Sequence, residues 1–358
     1  MKVYFPSGAF DTLVFSDLHL HDRKELSKIN PNTGLSTRLE EGLSILDQII
    51  DILTGNPEIT TLLFLGDLFE LKDRVPNHIL IECKKRFEKL AKRKIIFKAL
   101  KGNHDFNLTN YPIIQMFDSF MEVITEPILM STFEMAFIPY QKEMKDFYDA
   151  LAKLNKLEPR FVFFHQELPG GEYESGKRVP GSIRLITKSL MNPNTTYISG
   201  HLHKPQTVGE IIFVGAPYHT KHGVEGDRYI LLLHSQTKEM KRIKLEYPEF
   251  ITISFEDMKD KDYLKSSINN NHIRFMDTIE KPEDWASSKK IIREKLESLE
   301  ARSVTFKVAF KRPTLVKLPS NKLYDDREVI KTYLGKEYGN DPQKERLIQC
   351  GLEIFDKS

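Results

Sequence analysis

Side chains that commonly bind metal ions recur in five short stretches of the chain. These stretches are Ser16-Asp17-Leu18-His19, Gly66-Asp67, Gly102-Asn103-His104-Asp105, Phe164-His165 and Gly200-His201-Leu202-His203. Two carboxylates, one amide oxygen and four imidazoles suit manganese, iron or zinc, whereas a calcium site would use oxygen ligands alone. Seven such groups are too many for one tetrahedral ion. They suit two ions about 3.5–4 Å apart that share a carboxylate, for which Asp67 is the natural candidate, and such a pair serves hydrolytic attack on phosphate.

Each of these stretches directly follows a short apolar run that predicts a β-strand buried on both faces. With one further run, the predicted strands cover residues 12–16, 60–65, 95–100, 161–164, 195–199 and 210–214. Helical spacing of apolar residues between them predicts helices over 36–53 and 80–94. Strands that alternate with helices indicate an α/β layered domain. Loops at the carboxyl ends of such strands open into one crevice, so the five stretches can meet there.

The character of the sequence changes after about residue 248. Alternating strands are predicted at 251–255, 272–277 and 303–310, with a Lys/Glu-rich helix at 284–300. Pro313 and Pro319 bracket a linker, and two short helices are predicted at 326–338 and 342–355, the second beginning at Asp341-Pro342. We therefore predict a catalytic domain (1–248), a small α+β capping domain (249–315), and a linker with a helical tail (316–358).

Composition limits the class of protein. The chain has 358 residues, 40% apolar side chains and a formal charge of +2. This length suggests two or three folded units, and the apolar content excludes a wholly disordered chain. No apolar run approaches the ~20 residues needed to cross a bilayer. Cys83 and Cys350 are the two cysteines, so we expect no disulfide framework and a soluble, cytoplasmic protein.

The five stretches resemble the signature blocks of the calcineurin-like metallophosphoesterase superfamily. Within it, the chain resembles SbcD-type nucleases of bacterial and phage recombination and repair complexes. Three features carry that closer resemblance: Asp17-Leu18-His19-Leu20, Gly66-Asp67-Leu68-Phe69 with Pro76 downstream, and Gly215-Ala216-Pro217. The resemblance implies a layered sandwich with a cap and a helical tail. It also implies DNA as substrate, an SbcC-type ATPase coiled-coil subunit bound through the C-terminal helices, a homodimer, no membrane, and the host cytoplasm if the chain is phage-encoded.

The resemblance also implies a role for each site residue. Asp17, His19 and His203 would hold one ion, Asn103, His165 and His201 the other, and Asp67 would bridge two Mn²⁺ ions. His104 would protonate the leaving alkoxide or steady the phosphate, and Asp105 would orient its ring. A physical argument points the same way, because an imidazole with a pKa near 7 can donate a proton in the transition state and a following Asp can fix its tautomer.

Four further residues are predicted to contact substrate. Glu70 stands where similar proteins often have His or Asp after the Gly-Asp-x-Phe segment. Tyr218, His219 and His222 follow Gly215-Ala216-Pro217 in a loop that should face the crevice, although a plain surface loop is the alternative. His21 is either a competing ligand, a substrate contact or an exposed loop residue.

Three functions compete on this reading. The first is a metal-dependent DNA endo/exonuclease that works with an ATPase in recombination, repair or replication. The second is a metallophosphoesterase acting on a nucleotide, a cyclic nucleotide or a phosphoprotein. The third is a binding scaffold without activity, which the intact ligand set disfavours because a scaffold has no need for metal-demanding side chains. The cap and the tail favour the first.

Overall fold

The structure is a computed structural model, and it describes residues 10–23, 26–72, 74–105, 111–131, 134–181, 183, 190–224, 226–279, 282–310, 326–337 and 343–355. The predicted linker at Pro313 and Pro319 and the predicted helix start at Asp341-Pro342 lie outside these residues. The chain divides into two compact units, Met1–Asp277 with Ala286–Val308 and Thr278–Trp285 with Ala309–Ser358. In the described residues, no helix combines the length and the apolar character that crossing a membrane requires.

Two six-stranded sheets form the body of the first unit. The first sheet has the order β12-β11-β1-β2-β3-β4. Its strands are β1 (Thr12–Phe15), β2 (Thr61–Phe64), β3 (Ile96–Leu100), β4 (Glu122–Ile124), β11 (Ile230–Leu233) and β12 (Met240–Ile243). The strands from β1 to β4 run parallel, while β11 and β12 extend the sheet in antiparallel fashion beside β1.

The second sheet has the order β5-β6-β7-β8-β10-β9. Its strands are β5 (Ile128–Met130), β6 (Met135–Ile138), β7 (Phe161–His165), β8 (Thr196–Gly200), β9 (Gln206–Val208) and β10 (Ile211–Phe213). Its centre, β6-β7-β8-β10, is parallel, and an antiparallel strand closes each edge.

Side chains on both faces of each sheet are buried, which explains the unbroken apolar runs. On β1, Leu13 and Phe15 pack with helices α1 (Thr37–Gly55) and α2 (Asn77–Ala91). Val14 points the other way, into a core shared by the inner faces of the two sheets. Helix α3 (Met144–Asn155) covers the outer face of the second sheet. The result is a helix–sheet–sheet–helix sandwich.

Local signals set the start of α1. Ser36 adopts an extended backbone, and its hydroxyl accepts a hydrogen bond from the amide of Leu39 at 3.1 Å, as an N-cap residue does. From there the apolar side chains recur at helical spacing and are buried against the first sheet. Each fully buried Leu or Ile in this interface stabilises the fold by about 1.5–3 kcal/mol.

A third, three-stranded sheet has the order β13-β14-β15. It comprises β13 (Phe250–Ile253), β14 (His272–Ile279) and β15 (Ser303–Phe310), with helices α4 (Lys261–Ile268) and α5 (Pro282–Ser298) between them. Helices α6 (Asp326–Glu337) and α7 (Lys344–Phe355) follow. The predicted α/β fold class is confirmed: a layered sandwich, a small α+β part and C-terminal helices.

A buried polar cluster connects the third sheet to α1. Glu41 of α1 is bonded to His272 Nε2 at 3.0 Å, and it also pairs with Arg38 and Arg302. His272 Nδ1 in turn contacts Ser303 Oγ at 2.7 Å. Burial alone would raise the pKa of Glu41, but the bond to His272 and the charges of the two arginines outweigh it and lower that pKa. Glu41 is therefore a carboxylate at neutral pH.

Replacing this carboxylate should destabilise the first unit in a pH-dependent way. At pH 7, Glu41→Gln should lower the free energy of unfolding by about 3 kcal/mol, because it leaves buried cations without their partner. The pKa of Glu41 in the folded chain lies below the ordinary value of 4.5. The stabilisation by Glu41 is therefore complete above pH 4.5, and it is lost as the pH falls through the folded pKa. Urea unfolding at several pH values measures this.

Glu297→Gln, which breaks a surface pair with Arg293, is the control and should cost under about 1 kcal/mol. Equal costs for the two variants would contradict the assignment.

Candidate metal centre

The seven predicted ligands, called here the His/Asp cluster, lie at one edge of the two large sheets. The first sheet contributes those that follow β1, β2 and β3: Asp17, His19, Asp67 and Asn103. The second contributes the last residue of β7 and two that follow β8: His165, His201 and His203. Within each sheet these strands are parallel, so their carboxyl ends share one edge, and the two edges meet at the cluster.

Asp17, His19 and His203 form one part of the cluster. Asp17 Oδ1 lies 3.8 Å from His19 Nε2 and 3.9 Å from His203 Nε2. These separations are too long for hydrogen bonds but match ligands around a common ion, since metal–nitrogen and metal–oxygen bonds are about 2.0–2.2 Å. The three side chains can hold one metal ion.

Asp67, His165 and His201 form the other part, and they too can hold an ion. Asp67 Oδ2 lies 3.3 Å from His165 Nε2. Asn103 Oδ1 completes the group, at 3.0 Å from His165 Nε2 and 2.7 Å from His201 Nδ1. Asp67 Oδ2 is also only 3.5 Å from His19 Nε2. Its carboxylate therefore lies between the two parts, where a shared ligand belongs.

The electrostatics of the cluster favour bound positive charge. Asp17, Asp67 and His165 are buried, and His19 Nε2 is buried without a hydrogen-bond partner. Burial opposes the charged forms, but the attraction between carboxylates and imidazoles outweighs it. The pKa of Asp67 falls far below its usual range, and the pKa values of His19 and His165 rise to about 10 and about 9. A buried, anionic set of oxygen and nitrogen donors fits divalent cations, which would compete with these protons.

The backbone is strained at four cluster residues. Asp17, His19, Asp67 and His201 have φ values of 55°, 45°, 62° and 79°, in the left-handed region that costs an L-residue about 1–2 kcal/mol. Hydrogen bonds hold this conformation: the amides of Asp17 and His19 donate to the carbonyls of Gly66 and Asp67 at 3.0 and 3.1 Å. Strain concentrated in this way is typical of functional sites.

The glycines that precede the ligands are needed for space. A Cβ on Gly102 would lie 2.1 Å from Asp67 Oδ1, and one on Gly200 would lie 2.1 Å from Ser16 Oγ and 3.0 Å from His165 Nδ1. A side chain at Gly102 would therefore collide with the ligand Asp67, and one at Gly200 would collide with Ser16 and crowd the ligand His165. This close approach is the physical reason for the Gly-Asn and Gly-His pairs in the sequence.

His104 lies beside the cluster with one nitrogen anchored. Its Nδ1 contacts the carbonyl oxygen of Glu70 at 2.8 Å, and its amide donates to Asp67 Oδ1 at 2.8 Å. The side chain is 27% exposed and borders the crevice, and its ring meets that of His19 edge-on at 4.6 Å. Burial, only partly offset by Asp67, lowers the pKa of His104. His104 is thus placed to exchange a proton through Nε2, although with His19 and Asp67 it also forms a possible ligand trio.

Asp105 has a different task from the predicted one. Its Oδ2 accepts hydrogen bonds from the amides of Asp67 and Gly102, both at 2.9 Å. It therefore ties two ligand loops together, while the Glu70 carbonyl positions the His104 ring. Burial and the nearby Asp67 charge raise the pKa of Asp105 to about 6.

The four residues predicted to contact substrate make contacts within the protein instead. The Glu70 carboxylate contacts His19 Nδ1 at 2.9 Å. Tyr218 is buried in the core, and its hydroxyl donates to the Leu18 carbonyl, so the prediction for Tyr218 is wrong. His222 is also buried, against the Phe250 ring. His219 Nε2 contacts the Gly226 carbonyl. The sequence predicted an open loop here, because nothing in the Gly-Ala-Pro segment indicates that the following Tyr218 is packed in the core.

Two cavities adjoin the cluster, and both are bordered by His203, Glu174 and Lys221. The first, of about 370 Å³, is lined beside His19 by His21, Arg23 and Arg38 and by the acidic Glu70. The second, of about 330 Å³, exposes Asp67, Asn103, His104 and His201, with Tyr173 on its wall. His21 thus lines a cavity rather than joining the cluster.

Two glutamates near the cluster were missed by the sequence analysis. Glu167 Oε2 lies 3.4 Å from His201 Nε2, and Glu174 Oε2 lies 3.7 Å from His203 Nδ1. Neither stands in a recognisable motif. Only the proximity of Glu167 to His165 in sequence was a signal, and a weak one.

Comparisons with known proteins agree with the chemistry of the cluster. The family model described as calcineurin-like phosphoesterase matches residues 10–205. No curated protein matches the chain. Among solved structures, purple acid phosphatase PPD1 from yellow lupin (Lupinus luteus) seeds is similar, with a TM-score of 0.31 and 12% identity. The match covers 66% of this chain and 54% of the phosphatase, so this chain spans about half the length of the phosphatase. Glutamine-dependent NAD+ synthetase from Acinetobacter baumannii, in complex with ADP, has a TM-score of 0.31 and 10% identity, covering 97% of this chain and 73% of that one. Both TM-scores are too low to support a conclusion.

The family match supports a stronger statement. Residues 10–205 make up more than half of the 358 residues and include all seven members of the His/Asp cluster. The resemblance to the superfamily noted in the sequence is thereby confirmed. The chain belongs to the calcineurin-like phosphoesterase family, whose divalent-metal chemistry hydrolyses phosphoester bonds.

Proposed function

We propose that the chain is a metal-dependent DNA endo/exonuclease of the SbcD type that acts in recombination, repair or replication. The observation that supports this best is the pair of cavities at the His/Asp cluster, which share His203, Glu174 and Lys221 as lining residues. A small phosphoester needs one cavity, whereas a polynucleotide must enter and leave the site on both sides of the bond that is cut. Two cavities that share lining residues suit the polymer, and their lining includes the cations Arg23, Arg38 and Lys221 as well as Glu70 and Glu174.

The chain's own residues have separate tasks in this proposal. Asp17, His19 and His203 would hold one divalent ion, Asn103, His165 and His201 the other, with Asp67 between them. When bound, the two ions, which we expect to be Mn²⁺, lower the pKa of the attacking water and neutralise charge on the phosphate oxygens.

His104 acts at the leaving group. Its ring is held through Nδ1 by the Glu70 carbonyl, which leaves Nε2 for the substrate, and in the imidazolium form Nε2 would donate a proton to the departing alkoxide. Lys221 and Arg23 border the first cavity and can contact phosphates next to the one that is cleaved. Such contacts carry no sequence information but set the register of the strand.

We extend the proposal to protein partners. Helices α6 and α7 pack closely at Gly351, where an added Cβ would meet Leu334 at 2.7 Å, while Leu347 is 36% exposed. A helical pair with an exposed leucine suits docking on the coiled coil of an SbcC-type ATPase. A homodimer is the assembly that the resemblance suggests.

Substrate preference tests the proposal. The purified chain with Mn²⁺ should degrade linear DNA and release p-nitrophenol from bis-p-nitrophenyl phosphate, and it should leave a phosphopeptide intact. Lys221→Gln should weaken DNA binding and reduce the slope of log affinity against log salt by about one, since one phosphate contact is lost. Lys145→Gln, which alters an exposed lysine of α3, is the control and should leave the slope unchanged. Dephosphorylation of the peptide with DNA left intact would favour a phosphatase instead.

A further inference from the structure

The four imidazoles of the His/Asp cluster each have one nitrogen facing the cluster and the other facing an outer acceptor. His165 directs Nε2 toward Asp67 and Nδ1 toward the Leu65 carbonyl, which lies 2.5 Å away. For the other three a glutamate carboxylate lies beside the outer nitrogen, within 3.5 Å of it for His19 and His201 and slightly farther for His203. The pairs are His19 Nδ1 with Glu70 at 2.9 Å, His201 Nε2 with Glu167 at 3.4 Å, and His203 Nδ1 with Glu174 at 3.7 Å.

Each of these outer glutamates (Glu70, Glu167 and Glu174) is itself held by a second group. Arg23 pairs with Glu70 at 2.8 Å. The Tyr173 hydroxyl donates to Glu167. Glu174 pairs with the buried Arg228 at 2.8 Å and with Lys221 at 3.3 Å. Three similar chains of contact, built from different parts of the sequence, point to a common task.

We propose that the outer glutamates are positioning residues that orient three histidines for metal binding. A carboxylate on the far nitrogen of an imidazole fixes the proton there, so the nitrogen facing the cluster carries a free lone pair. It also holds the plane of the ring and makes the ligand more basic. The proposal concerns metal affinity and does not depend on DNA being the substrate.

The alternative is that these glutamates only form ion pairs with nearby cations. Glu172 provides the matched comparison, because it is paired with Lys204 and lies two residues before Glu174, but its carboxylate contacts no imidazole among the described residues. If charge alone mattered, Glu172 would count as much as Glu174.

Mn²⁺ titration in the absence of any nucleic acid tests the proposal. The electron paramagnetic resonance signal of free Mn²⁺ gives the number and affinity of bound ions. Glu70→Gln and Glu174→Gln should weaken one ion, and Glu167→Gln should weaken the other, each by about 10–100-fold. Glu172→Gln should bind both ions as the unaltered chain does. The readout is independent of cleavage, so failure of the nuclease assignment would not affect it.

The choice of variants separates a loss of metal affinity from a loss of folding. Glu174→Gln leaves Arg228 buried beside a neutral partner and can destabilise the chain, whereas Glu70 and Glu167 are 20% and 39% exposed. Thermal unfolding of the metal-free Glu70→Gln and Glu167→Gln variants should match that of the unaltered chain. Unchanged Mn²⁺ affinity in these two variants, or an equal loss in Glu172→Gln, would overturn the proposal.

Discussion

Asp67→Asn should reduce metal-dependent phosphodiester cleavage by about 10³-fold or more and lower the amount of bound metal. The reason is that Asp67 Oδ2 lies within 3.5 Å of His19 Nε2 and 3.3 Å of His165 Nε2, between the two parts of the cluster. An amide nitrogen there cannot bridge two cations. Several kcal/mol of charge stabilisation are then lost, at about 1.4 kcal/mol per tenfold in rate.

Folding of the variant is measured separately, because Asp67 is the buried carboxylate partner of two buried imidazoles, His19 and His165. Asn Oδ1 can still accept the amide of His104, as Asp67 Oδ1 does at 2.8 Å. Asp149→Asn, at an exposed residue of α3, should leave the rate unchanged. Metal analysis and steady-state kinetics measure the two effects. A well-folded Asp67→Asn variant with the activity and metal content of the unaltered chain would exclude the shared carboxylate.

His104→Gln should lower kcat on DNA by about 10²–10⁴-fold without changing the number of bound ions. A proton donor at the leaving oxygen contributes a factor of this size. The structure gives His104 a free nitrogen at the crevice because Nδ1 is bound to the Glu70 carbonyl. A glutamine has no proton to transfer at neutral pH.

The leaving group separates the proton donor from a metal ligand. p-Nitrophenolate departs without being protonated, so His104→Gln should cleave bis-p-nitrophenyl phosphate nearly as fast as the unaltered chain. His104, His19 and Asp67 are also close enough to share an ion. Loss of one ion in the variant, or equal slowing on both substrates, would make His104 a ligand rather than an acid.

The sequence was sufficient to predict the fold class and where the cluster residues would meet. Ligand-type residues that follow parallel strands lie at one sheet edge by topology, so strand positions were enough. Short strands such as β9 (Gln206–Val208) went unpredicted because three residues carry too little periodicity. They gain their stability from pairing in the sheet rather than from local preference.

The roles of individual side chains were harder to predict. Asp105 is adjacent to His104 in sequence, yet its carboxylate accepts amides of Asp67 and Gly102. Side-chain direction depends on loop backbone, which residue types do not specify. Glu70 and Glu174 meet their histidines across long stretches of sequence, and no local pattern encodes such contacts.

In the proposed function, seven side chains from two sheets hold two cations through a shared carboxylate. The most direct measurement is the electron paramagnetic resonance spectrum of the chain loaded with Mn²⁺, together with metal analysis. We predict two ions per chain and the spin-coupled spectrum of a pair about 3.5–4 Å apart. One ion per chain, or two with independent six-line spectra, would contradict the account.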